Sequence, residues 1–379
     1  MDPWIAAAAQ DIAKRAEREL EALVGVSSPS GDVRGAEEVL AIVRALLPDG
    51  AEVQRLACSS PDHAPDLLAT VRGTGAGRVL LLGHVDTVVA HAQHRPLEAS
   101  GDRLTGSGTI DMKGGDVLAL GVLRAFTQAP ERFDELALLL VCDEEWRTAP
   151  FAHGERFAGY DACLCFEGGQ TAEDGADEVV VRRKAAGTLV VEAEGRSAHS
   201  GAAPDRGANA LLALAEAAQV VARHHDPRGP QRLTAVPTIM ASGDALNVVP
   251  ASGRLISDLR ADAETPFEEV LAAIPAEVNG VKLHASMLRV WPGMDARDAA
   301  APVLAAAEAI LGRPVLAGAR GGASDASHIA SRIPVTIDGL GPLGGDAHHP
   351  DEYVLRTSLE GRAQVALALA ASAFGRQKE

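Results

Sequence analysis

The segment RVLLLGHVD, residues 78–86, joins a short apolar run directly to a histidine and an aspartate. The apolar part predicts a strand that ends inside a sheet. Because residues two apart in an extended chain project to one side, Asp86 can accept a hydrogen bond from the ring of His84. That bond would fix the tautomer of the ring and leave its other nitrogen to bind a metal. The alternative is a histidine at a strand end beside a solvated aspartate.

Two more apolar runs end in acidic residues. Residues 136–141 lead to Asp143, Glu144 and Glu145, and residues 162–166 lead to Glu167. Adjacent carboxylates repel one another unless cations or protons compensate, so the pattern indicates either a metal site or an acidic surface loop. Neighbouring residues of an extended segment face opposite sides, which allows Glu144 and Glu145 to differ in role. One can bind a metal while the other faces a substrate.

Two further clusters complete the set. Asp111 lies in GSGTIDMKGG, residues 106–115, where glycines let the backbone approach an ion closely, although a surface turn favours the same residues. His348 lies in AHHPDEY, residues 347–353. The clusters together supply two histidines, a carboxylate that can be shared, two further carboxylates and one glutamate left over. They predict a site for two metal ions and a general base.

The apolar runs alternate with helical patterns, which predicts an α/β fold with a mixed or parallel central sheet flanked by helices. In the first half, helices are predicted at 3–24, 34–47 and 115–127, and strands at 67–71, 78–83, 136–141 and 162–166. The glycine-rich segment 72–77 is predicted to be a flexible hairpin turn. A phosphate-binding loop is disfavoured there because neither a helix nor a Lys-Ser/Thr pair follows.

The pattern changes near Gly187, where the predicted elements follow the order β-α-β-β-α-β of a ferredoxin-like module. They are strand 188–194, helix 208–224, strands 233–240 and 254–261, helix 265–275 and strand 281–290. Thr265 is predicted to cap its helix, with Pro266 in the first turn. Helix–strand alternation then resumes with helix 301–311, strand 335–338 and helix 358–374. We therefore predict an inserted domain, 185–292, within a domain formed by 1–184 and 293–379.

The composition excludes some classes of protein. A chain of 379 residues with 47% hydrophobic content is long enough for two domains. Its net charge of −17 disfavours nucleic acid and anionic membranes as partners. The N-terminal residues lack a signal-peptide pattern and no apolar run approaches the roughly 18 residues of a spanning helix, so a cytoplasmic protein is expected. The four cysteines form no CxxC pair and are expected to be reduced.

Six motifs resemble those of one enzyme family, and they occur in the same order. They are GHVDTV at 83–88, the Asp111 segment, DEE at 143–145, GRSAHSG through GANA at 195–210, NVVP at 247–250 leading to DLR at 258–260, and the His348 segment. The chain thus resembles the co-catalytic zinc carboxypeptidases and deacylases over nearly its whole length. This family includes glutamate carboxypeptidase, acetylornithine deacetylase, succinyl-diaminopimelate desuccinylase and aminoacylase. The segment 195–210 and GPLGG at 341–345 look most similar to glutamate carboxypeptidase.

The resemblance implies two metal ions, zinc being expected and cobalt or manganese also suiting such ligands. Asp111 is expected to bridge the two ions. His84 and Glu167 would complete one site, and Glu145 and His348 the other. Glu167 rather than aspartate at this position resembles the glutamate carboxypeptidase and deacetylase branches more than the dipeptidase branch.

The resemblance also implies roles for neighbours of the ligands. Asp86 would orient His84, and Glu144 would act as the general base that takes a proton from the attacking water and returns it to the leaving amine. The peptide bond between Asp111 and Met112 is expected to be cis.

The inserted domain of this family is a lid and a dimerisation domain. The resemblance implies that His199 stabilises the oxyanion and reaches the active site of the partner subunit, so a functional homodimer is expected. Asn247 and Arg260 would hold the carboxylate of the substrate, because an arginine fork binds carboxylate bidentately. Gly321 and Gly322 would contact the substrate through backbone groups.

The implied activity is hydrolysis of the amide bond of a peptide or an N-acyl amino acid, most similar to that of a glutamate carboxypeptidase. A deacylase of N-acyl amino acids is the alternative, and an inactive metal-binding scaffold is a remote one because Glu144 is present. Trp146-Arg147-Thr148 departs from the Gly-Ser that often follows in the family, which bears on the pocket wall. The remaining histidines are expected to be structural or exposed, and only His349 competes with His348 as a ligand.

Overall fold

The computed structural model describes residues 1–374, and the chain divides into two compact units. Among the described residues, the larger unit consists of Met1–Arg182, Asp295–Ala319 and residues 324–374. The smaller unit consists of Arg183–Met294 together with Arg320–Ala323. Almost all of the smaller unit is therefore one continuous insertion between two parts of the larger unit.

Helices and strands alternate through both units. The helices of residues 1–374 are α1 Pro3–Val24, α2 Val33–Leu46, α3 Gly114–Thr127, α4 Ala210–Arg223, α5 Thr265–Ala273, α6 Arg297–Leu311, α7 Asp325–Ala330 and α8 Ser358–Phe374. The strands of the larger unit up to the insertion are β1 Glu52–Leu56, β2 Asp66–Arg72, β3 Arg78–His84, β4 Glu98–Ser100, β5 Arg103–Thr105, β6 Glu135–Val141, β7 Ala162–Cys165, β8 Gln170–Thr171 and β9 Asp177–Arg183. The remaining strands are β10 Ala185–Glu194, β11 Thr234–Ser242, β12 Ser252–Ala261, β13 Glu277–Val278, β14 Val281–Trp291, β15 Met294–Asp295, β16 Val315–Arg320, β17 Thr336–Ile337, β18 Gly344–Gly345 and β19 Tyr353–Leu355.

The larger unit is built on a six-stranded mixed sheet with the order β1-β2-β6-β3-β7-β17. Strands β6, β3, β7 and β17 run parallel, whereas β1 and β2 are joined to them by antiparallel pairing. Every residue of β6 is buried, and so is every residue of β7, as expected for strands covered on both faces. Helices α1, α3 and α8 pack together and form one hydrophobic core with the sheet. The predicted α/β architecture is confirmed.

The parallel strands decide where the polar clusters meet. In the register of β3 with β6, His84 lies opposite Val141, and in the register of β3 with β7, Leu82 lies opposite Cys165. The carboxyl ends of the three strands therefore reach the same edge of the sheet. Each of these strands is followed at that edge by one of the acidic or histidine clusters.

The glycine-rich segment 72–77 is not a hairpin turn, so that prediction is wrong. Strand β6 lies between β2 and β3, and the segment crosses over its amino end. Gly73 and Gly75 donate backbone hydrogen bonds of 2.8 Å to Asp134 and Phe133, directly before β6. The continuous apolar run of β6 needs neighbours on both sides, and the slot between β2 and β3 provides them.

The smaller unit has the predicted β-α-β-β-α-β order, formed by β10, α4, β11, β12, α5 and β14. Its sheet has the order β11-β12-β10-β14-β13 and is antiparallel throughout. Strand β10 alternates outward Glu192 and Glu194 with inward Val191 and Ala193, and the inward side packs with α4 and α5 into a separate core. One face of this sheet is thus covered by helices, which is typical of a ferredoxin-like module.

The predicted helix cap at Thr265 is wrong by one residue. Helix α5 begins at Thr265 itself, so Glu264 occupies the cap position and no side-chain cap hydrogen bond is formed there among the described residues. Pro266 still lies in the first turn, where its missing N–H costs nothing.

Two smaller sheets were not predicted from the sequence. One contains β8, β9, β15 and β16, and the other has the order β18-β19-β5-β4. Their strands are short, and their pairing joins segments far apart in the chain. The second of these sheets is important for the site, because β19 follows His348 and pairs with β5 near Asp111. Within residues 1–374, no helix combines the length and the apolar character needed to cross a membrane.

Candidate metal centre

Five predicted ligands come together at the carboxyl edge of the central sheet. They form two groups of three, and the ligand atoms of each group all lie within 4.8 Å of one another. The groups are His84 with Asp111 and Glu167, and Asp111 with Glu145 and His348. Asp111 belongs to both groups, so the structure places it between the two sets of ligand atoms.

His84 is oriented by the segment that follows it. Its Nδ1 lies 3.0 Å from the backbone carbonyl oxygen of Asp86 and 3.4 Å from a carboxylate oxygen of the same residue. On the other side of the ring, Nε2 lies 3.1 Å from Asp111 Oδ1 and 3.8 Å from Glu167 Oε1. With Nδ1–H donating to the carbonyl oxygen, a neutral ring directs the lone pair of Nε2 at two carboxylates. The lone pair of Nε2 and the two carboxylates repel one another, and a cation bound between them would remove this repulsion.

The carboxylate of Asp86 has a second function in the fold. Its two oxygens accept hydrogen bonds from the backbone amides of Glu144 and Glu145, at 3.2 and 3.1 Å. His84 and Asp86 are each only 1% exposed. Asp86 therefore joins the end of β3 to the acidic loop after β6, which fixes the backbone of that loop beside the ligands.

His348 approaches Asp111 from a strained turn. Its Nε2 lies 3.0 Å from Asp111 Oδ2 and 3.4 Å from Glu145 Oε2. His348 and Asp346 both adopt positive φ angles, 65° and 60°, which residues with a Cβ rarely do. His349, the competing candidate, instead accepts a hydrogen bond from the Asp351 amide at Nδ1. The structure thus brings His348, and not His349, to the carboxylates.

The backbone around Asp111 is held by Glu352, to which the sequence motifs assign no role of its own. The buried carboxylate of Glu352 accepts hydrogen bonds from the amides of Gly108, Ile110 and Asp111, at 2.9, 2.7 and 2.9 Å. The Asp111–Met112 peptide is cis, as the resemblance implied. The sequence does contain a signal for Glu352, because it lies four residues after His348 in the same motif.

Glycine is required where the Asp111 segment enters α3. A Cβ on Gly115 would lie 1.8 Å from the carbonyl oxygen of Phe166, at the end of β7. The absence of a side chain at Gly115 therefore lets the start of α3 pack against the strand that carries Glu167, and so brings the Asp111 segment to the sheet edge.

The charges of the site favour a cation. Hydrogen bonds to Asp111 and Glu145 raise the pKa of His348 to about 11. Burial raises the pKa of Glu144 well above its ordinary value, and the negative charges of Glu167 and Glu145 add to this effect while His84 opposes it. Carboxylates crowded into a buried site require positive charge. The donor atoms are imidazole nitrogens and carboxylate oxygens, which suit zinc and related divalent metals, so the residues fit a metal centre.

Comparison with known sequences identifies the family to which the chain belongs. The profile of peptidase family M20/M25/M40 matches residues 80–372, a stretch that includes every ligand candidate named above. The chain belongs to this family. It is therefore a hydrolase that acts on amide bonds, and the suspected relationship is confirmed.

Relatives in the M20/M25/M40 family have been named for two kinds of reaction. The chain is 26% identical to carboxypeptidase G2 of Pseudomonas sp. (strain RS-16), with 92% of this chain and 87% of that one covered. It is 30% identical to the succinyl-diaminopimelate desuccinylase of Xanthomonas campestris pv. campestris (strain 8004), with 84% of this chain and 89% of that one covered. The fold is shared with aminopeptidase PepT from Bacillus cereus ATCC 10987, at a TM-score of 0.75 and 19% identity, with 95% of this chain and 98% of that chain covered.

The remaining candidates of this M20-family chain are in the smaller unit. His199 is exposed, and its Nδ1 accepts hydrogen bonds from the amides of Gly201 and Ala202, at 3.1 and 3.2 Å. A neutral His199 ring therefore carries its proton on Nε2, which leaves an N–H that can donate. The backbone carbonyl of Asn247 accepts from Ser200, so the structure brings Asn247 next to His199.

Arg260 and the glycine loop lie elsewhere in the smaller unit. The guanidinium of Arg260 pairs with Asp258 on the same strand, with N–O distances of 3.1 and 3.2 Å. Gly322 accepts a hydrogen bond of 2.8 Å from the guanidinium of Arg183 through its carbonyl oxygen. A Cβ on Gly321 would meet no described heavy atom within 4 Å, so the packing of this unit alone does not require glycine at that position.

Proposed function

We propose that this chain is a dinuclear zinc metallopeptidase that removes a C-terminal amino acid from a peptide or an N-acyl amino acid, as a glutamate-carboxypeptidase-like enzyme would. The observation that carries the proposal is the position of Asp111 between two histidines. Its Oδ1 lies 3.1 Å from His84 Nε2 and its Oδ2 lies 3.0 Å from His348 Nε2. A carboxylate with one imidazole at each oxygen suits two ions that share a ligand.

The proposed metal ligands are the five residues of the two groups. His84 and Glu167 would hold one ion together with Asp111, and Glu145 and His348 would hold the other. When bound, the ions would supply a Lewis acid that polarises the amide carbonyl and lowers the pKa of water. Zinc is proposed, and cobalt or manganese would suit the same donor atoms.

Glu144 is the proposed general base. Two members of the acidic loop, Asp143 and Glu144, belong to neither ligand group. Asp143 is bound by the guanidinium of Arg147, which leaves Glu144 as the candidate. Burial raises the proton affinity of its carboxylate, so it can take a proton from water and then return it to the leaving amine. The hydrogen bond from the Glu144 amide to Asp86 holds the residue in place for both transfers.

The smaller unit is proposed to supply substrate recognition, with the larger unit as the catalytic domain. The planar fork of Arg260 suits a carboxylate, and its pairing with Asp258 keeps it extended along β12. Asn247 is proposed to assist in binding this carboxylate, and Gly321 and Gly322 are proposed to contact the substrate through the backbone. The open space around Gly321 supports close approach of a ligand. Nε2–H of His199 is proposed to donate to the oxyanion.

We further propose a homodimer formed through the smaller unit, in which His199 serves the site of the partner subunit. Strand β11 is at the edge of its sheet, and Val236, Ile239 and Met240 on this strand are 43%, 57% and 39% exposed. Leu212 on α4 is 64% exposed. An edge strand with exposed apolar side chains is a surface that a second chain can cover.

A deacylase is the second candidate, because relatives named succinyl-diaminopimelate desuccinylase also align over most of the chain. Zinc-loaded protein is to be assayed on dipeptides and N-acyl amino acids in which the acyl group and the amino acid vary separately. A carboxypeptidase should discriminate mainly by the C-terminal amino acid, and a deacylase mainly by the acyl group. Protein treated with a chelator is the control. Equal release from zinc-loaded and chelated protein would contradict a metal-dependent reaction.

A further inference from the structure

The segment that departs from the family pattern contains a buried charge. Arg147 is 3% exposed and lies two residues after the proposed ligand Glu145. The Gly-Ser that often stands in this region of the family could not supply such a charge. A buried guanidinium is costly unless opposite charges compensate it, and two aspartates do so here.

The first partner of Arg147 is the residue that opens the acidic loop. Asp143 Oδ1 accepts hydrogen bonds from Arg147 Nη2 at 2.7 Å and from Nε at 3.2 Å. Asp143 Oδ2 accepts from the amide of Ser60 at 2.9 Å. This ion pair closes a loop of five residues, 143–147, and the two residues next to Asp143 inside it are the proposed base Glu144 and the proposed ligand Glu145.

The second partner is Asp325, at the start of α7. Both of its oxygens accept hydrogen bonds from the same guanidinium, with Nη2 to Oδ2 at 2.8 Å and Nη1 to Oδ1 as the other bond. Asp325 is 2% exposed. The preceding residue, Ser324, is anchored by a hydrogen bond of 2.6 Å from its Oγ to Asp338. Arg147 thus ties the acidic loop to the start of α7.

We propose that Arg147 is a positioning residue that acts through Asp143 and Asp325 to hold the Glu144–Glu145 backbone in its catalytic geometry. Asp86 holds the amides of these two residues from one side, and Arg147 closes the loop from the other. A single guanidinium between two buried carboxylates also keeps those charges from repelling the ligand carboxylates nearby. The inference rests on the function proposed for Glu144 and Glu145.

The test measures zinc affinity and turnover separately in R147A. Zinc affinity is determined by competition with a chromophoric chelator, and kcat and KM are determined at saturating zinc. Loss of a residue that orients metal ligands should lower zinc affinity and kcat by about 10–100-fold each. KM should change less than kcat, because Arg147 holds the loop of Glu144 and Glu145 through Asp143.

Further variants distinguish positioning from a general contribution to stability. R124A removes a partly buried arginine that pairs with Glu19 at 2.7 Å, away from the ligands, and should keep wild-type zinc affinity. D325N should reproduce the loss seen in R147A, and the double variant should be no worse than the more affected single variant. If R147A does not fold, zinc affinity and kcat are measured in R147K and D325N instead. Lysine retains the charge of Arg147 but lacks its bidentate fork, so R147K should also lose affinity and turnover. Millimolar guanidinium should partly restore kcat in R147A.

Wild-type zinc affinity together with wild-type kcat in folded R147A, or in folded D325N and R147K, would overturn the proposal. Equal loss of zinc affinity in R124A would also overturn it, because the effect would then be general loosening. A wild-type chain that binds zinc but hydrolyses no amide would contradict the proposed function instead. In that case the zinc affinities of the variants would still test the positioning by Arg147.

Discussion

The carboxylate of Glu352 accepts a hydrogen bond of 2.9 Å from the amide of Asp111, although 241 positions separate the two residues in the chain. Two more amides of the same segment bind this carboxylate. The residue proposed to bridge two ions is therefore held by the last motif of the chain, which also contributes His348. One short turn thus supplies both a proposed ligand and the support for another proposed ligand.

Replacing Glu352 by glutamine should weaken metal binding. A glutamine side chain has one acceptor oxygen in place of two, so at least one of the three amides loses its partner and the Asp111 segment loosens. We expect E352Q to bind zinc about 10–100-fold more weakly, measured by chelator competition. E38Q, on the exposed side of α2, is the matched control and should bind as the wild type does. Unchanged affinity in E352Q would show that the three hydrogen bonds do not support the site.

Removing the carboxylate of Glu144 should abolish most turnover while sparing the metal. As the proposed base, it accounts for a 10²–10⁴-fold effect on kcat, or about 2.7–5.5 kcal/mol of the barrier. E144A should retain its zinc content, measured by elemental analysis after gel filtration. E145A, by contrast, should lose zinc. Near-normal turnover in zinc-loaded E144A would exclude Glu144 as the base.

The proposed sharing of His199 between subunits can be tested by complementation. H199A and H84A should each be nearly inactive, the first because the oxyanion loses a donor and the second because a ligand is missing. Mixed dimers of the two variants contain one intact combined site, so activity should return to about a quarter of wild type for random pairing. Sedimentation should show a dimer. Inactive mixed dimers, or a monomeric wild type, would rule out sharing.

Arg260 should act on the free carboxylate of the substrate. R260A should raise KM for substrates with a C-terminal carboxylate by about 10-fold or more, because a charged hydrogen bond contributes roughly 1.5–3 kcal/mol. KM for the matching C-terminal amides should hardly change. R289A, on β14 of the same sheet, serves as the control for general loss of charge. Equal effects on acids and amides would refute the role given to Arg260.

Acid should destabilise the chain partly through His328. Burial lowers the pKa of His328 to about 4, the charge of Arg147 adds to this effect and Asp325 opposes it. The unfolded ring titrates near 6.5, so between pH 6.5 and 4 the unfolded state binds a proton that the native state does not. Native stability should therefore fall as the pH drops through this window, by up to about 3 kcal/mol at roughly 1.4 kcal/mol per pH unit.

Urea unfolding of metal-free protein at pH 7.0 and 4.5 measures this dependence. H328N should lose less stability between the two pH values than the wild type, because its side chain does not titrate. H284N replaces an exposed histidine of the smaller unit and should keep the wild-type dependence. Parallel behaviour of H328N and wild type would contradict the assignment.

The strand ends of the site could be predicted from the sequence because each is encoded locally. An apolar run that is buried on both faces leaves its first polar residues at the sheet edge, which points to His84, the cluster 143–145 and Glu167. The choice of Glu145 over Glu144 as a ligand comes from the family resemblance. The order of the strands was less accessible, since periodicity does not specify neighbours. For this reason the predicted hairpin at 72–77 is wrong. It would make β2 and β3 neighbours, whereas β6 lies between them in the sheet.

The contacts of Glu352 and Arg147 could not be predicted from local sequence patterns, because their partners are distant in the chain. The role of Glu352 depends on the pairing of β19 with β5, in which Val354 lies opposite Leu104. The role of Arg147 depends on Asp325, which is 178 positions later. Both residues are charged and buried. The sequence shows that they are charged, but it does not show that they are buried. Thr265 shows the opposite limit, because the pattern predicts its helix correctly but places the cap one residue late and the end two residues late.

The order in which the ligands occur along the chain has a consequence for biosynthesis. The proposed ligands of the first group, His84, Asp111 and Glu167, all lie before the insertion, whereas the second group needs His348 from the last part of the chain. A nascent polypeptide leaving the ribosome thus contains one full set of donors before the ferredoxin-like module has been translated. The second set becomes complete only when translation has nearly ended. The proposed metal centre would therefore be completed in two stages, with Asp111 common to both.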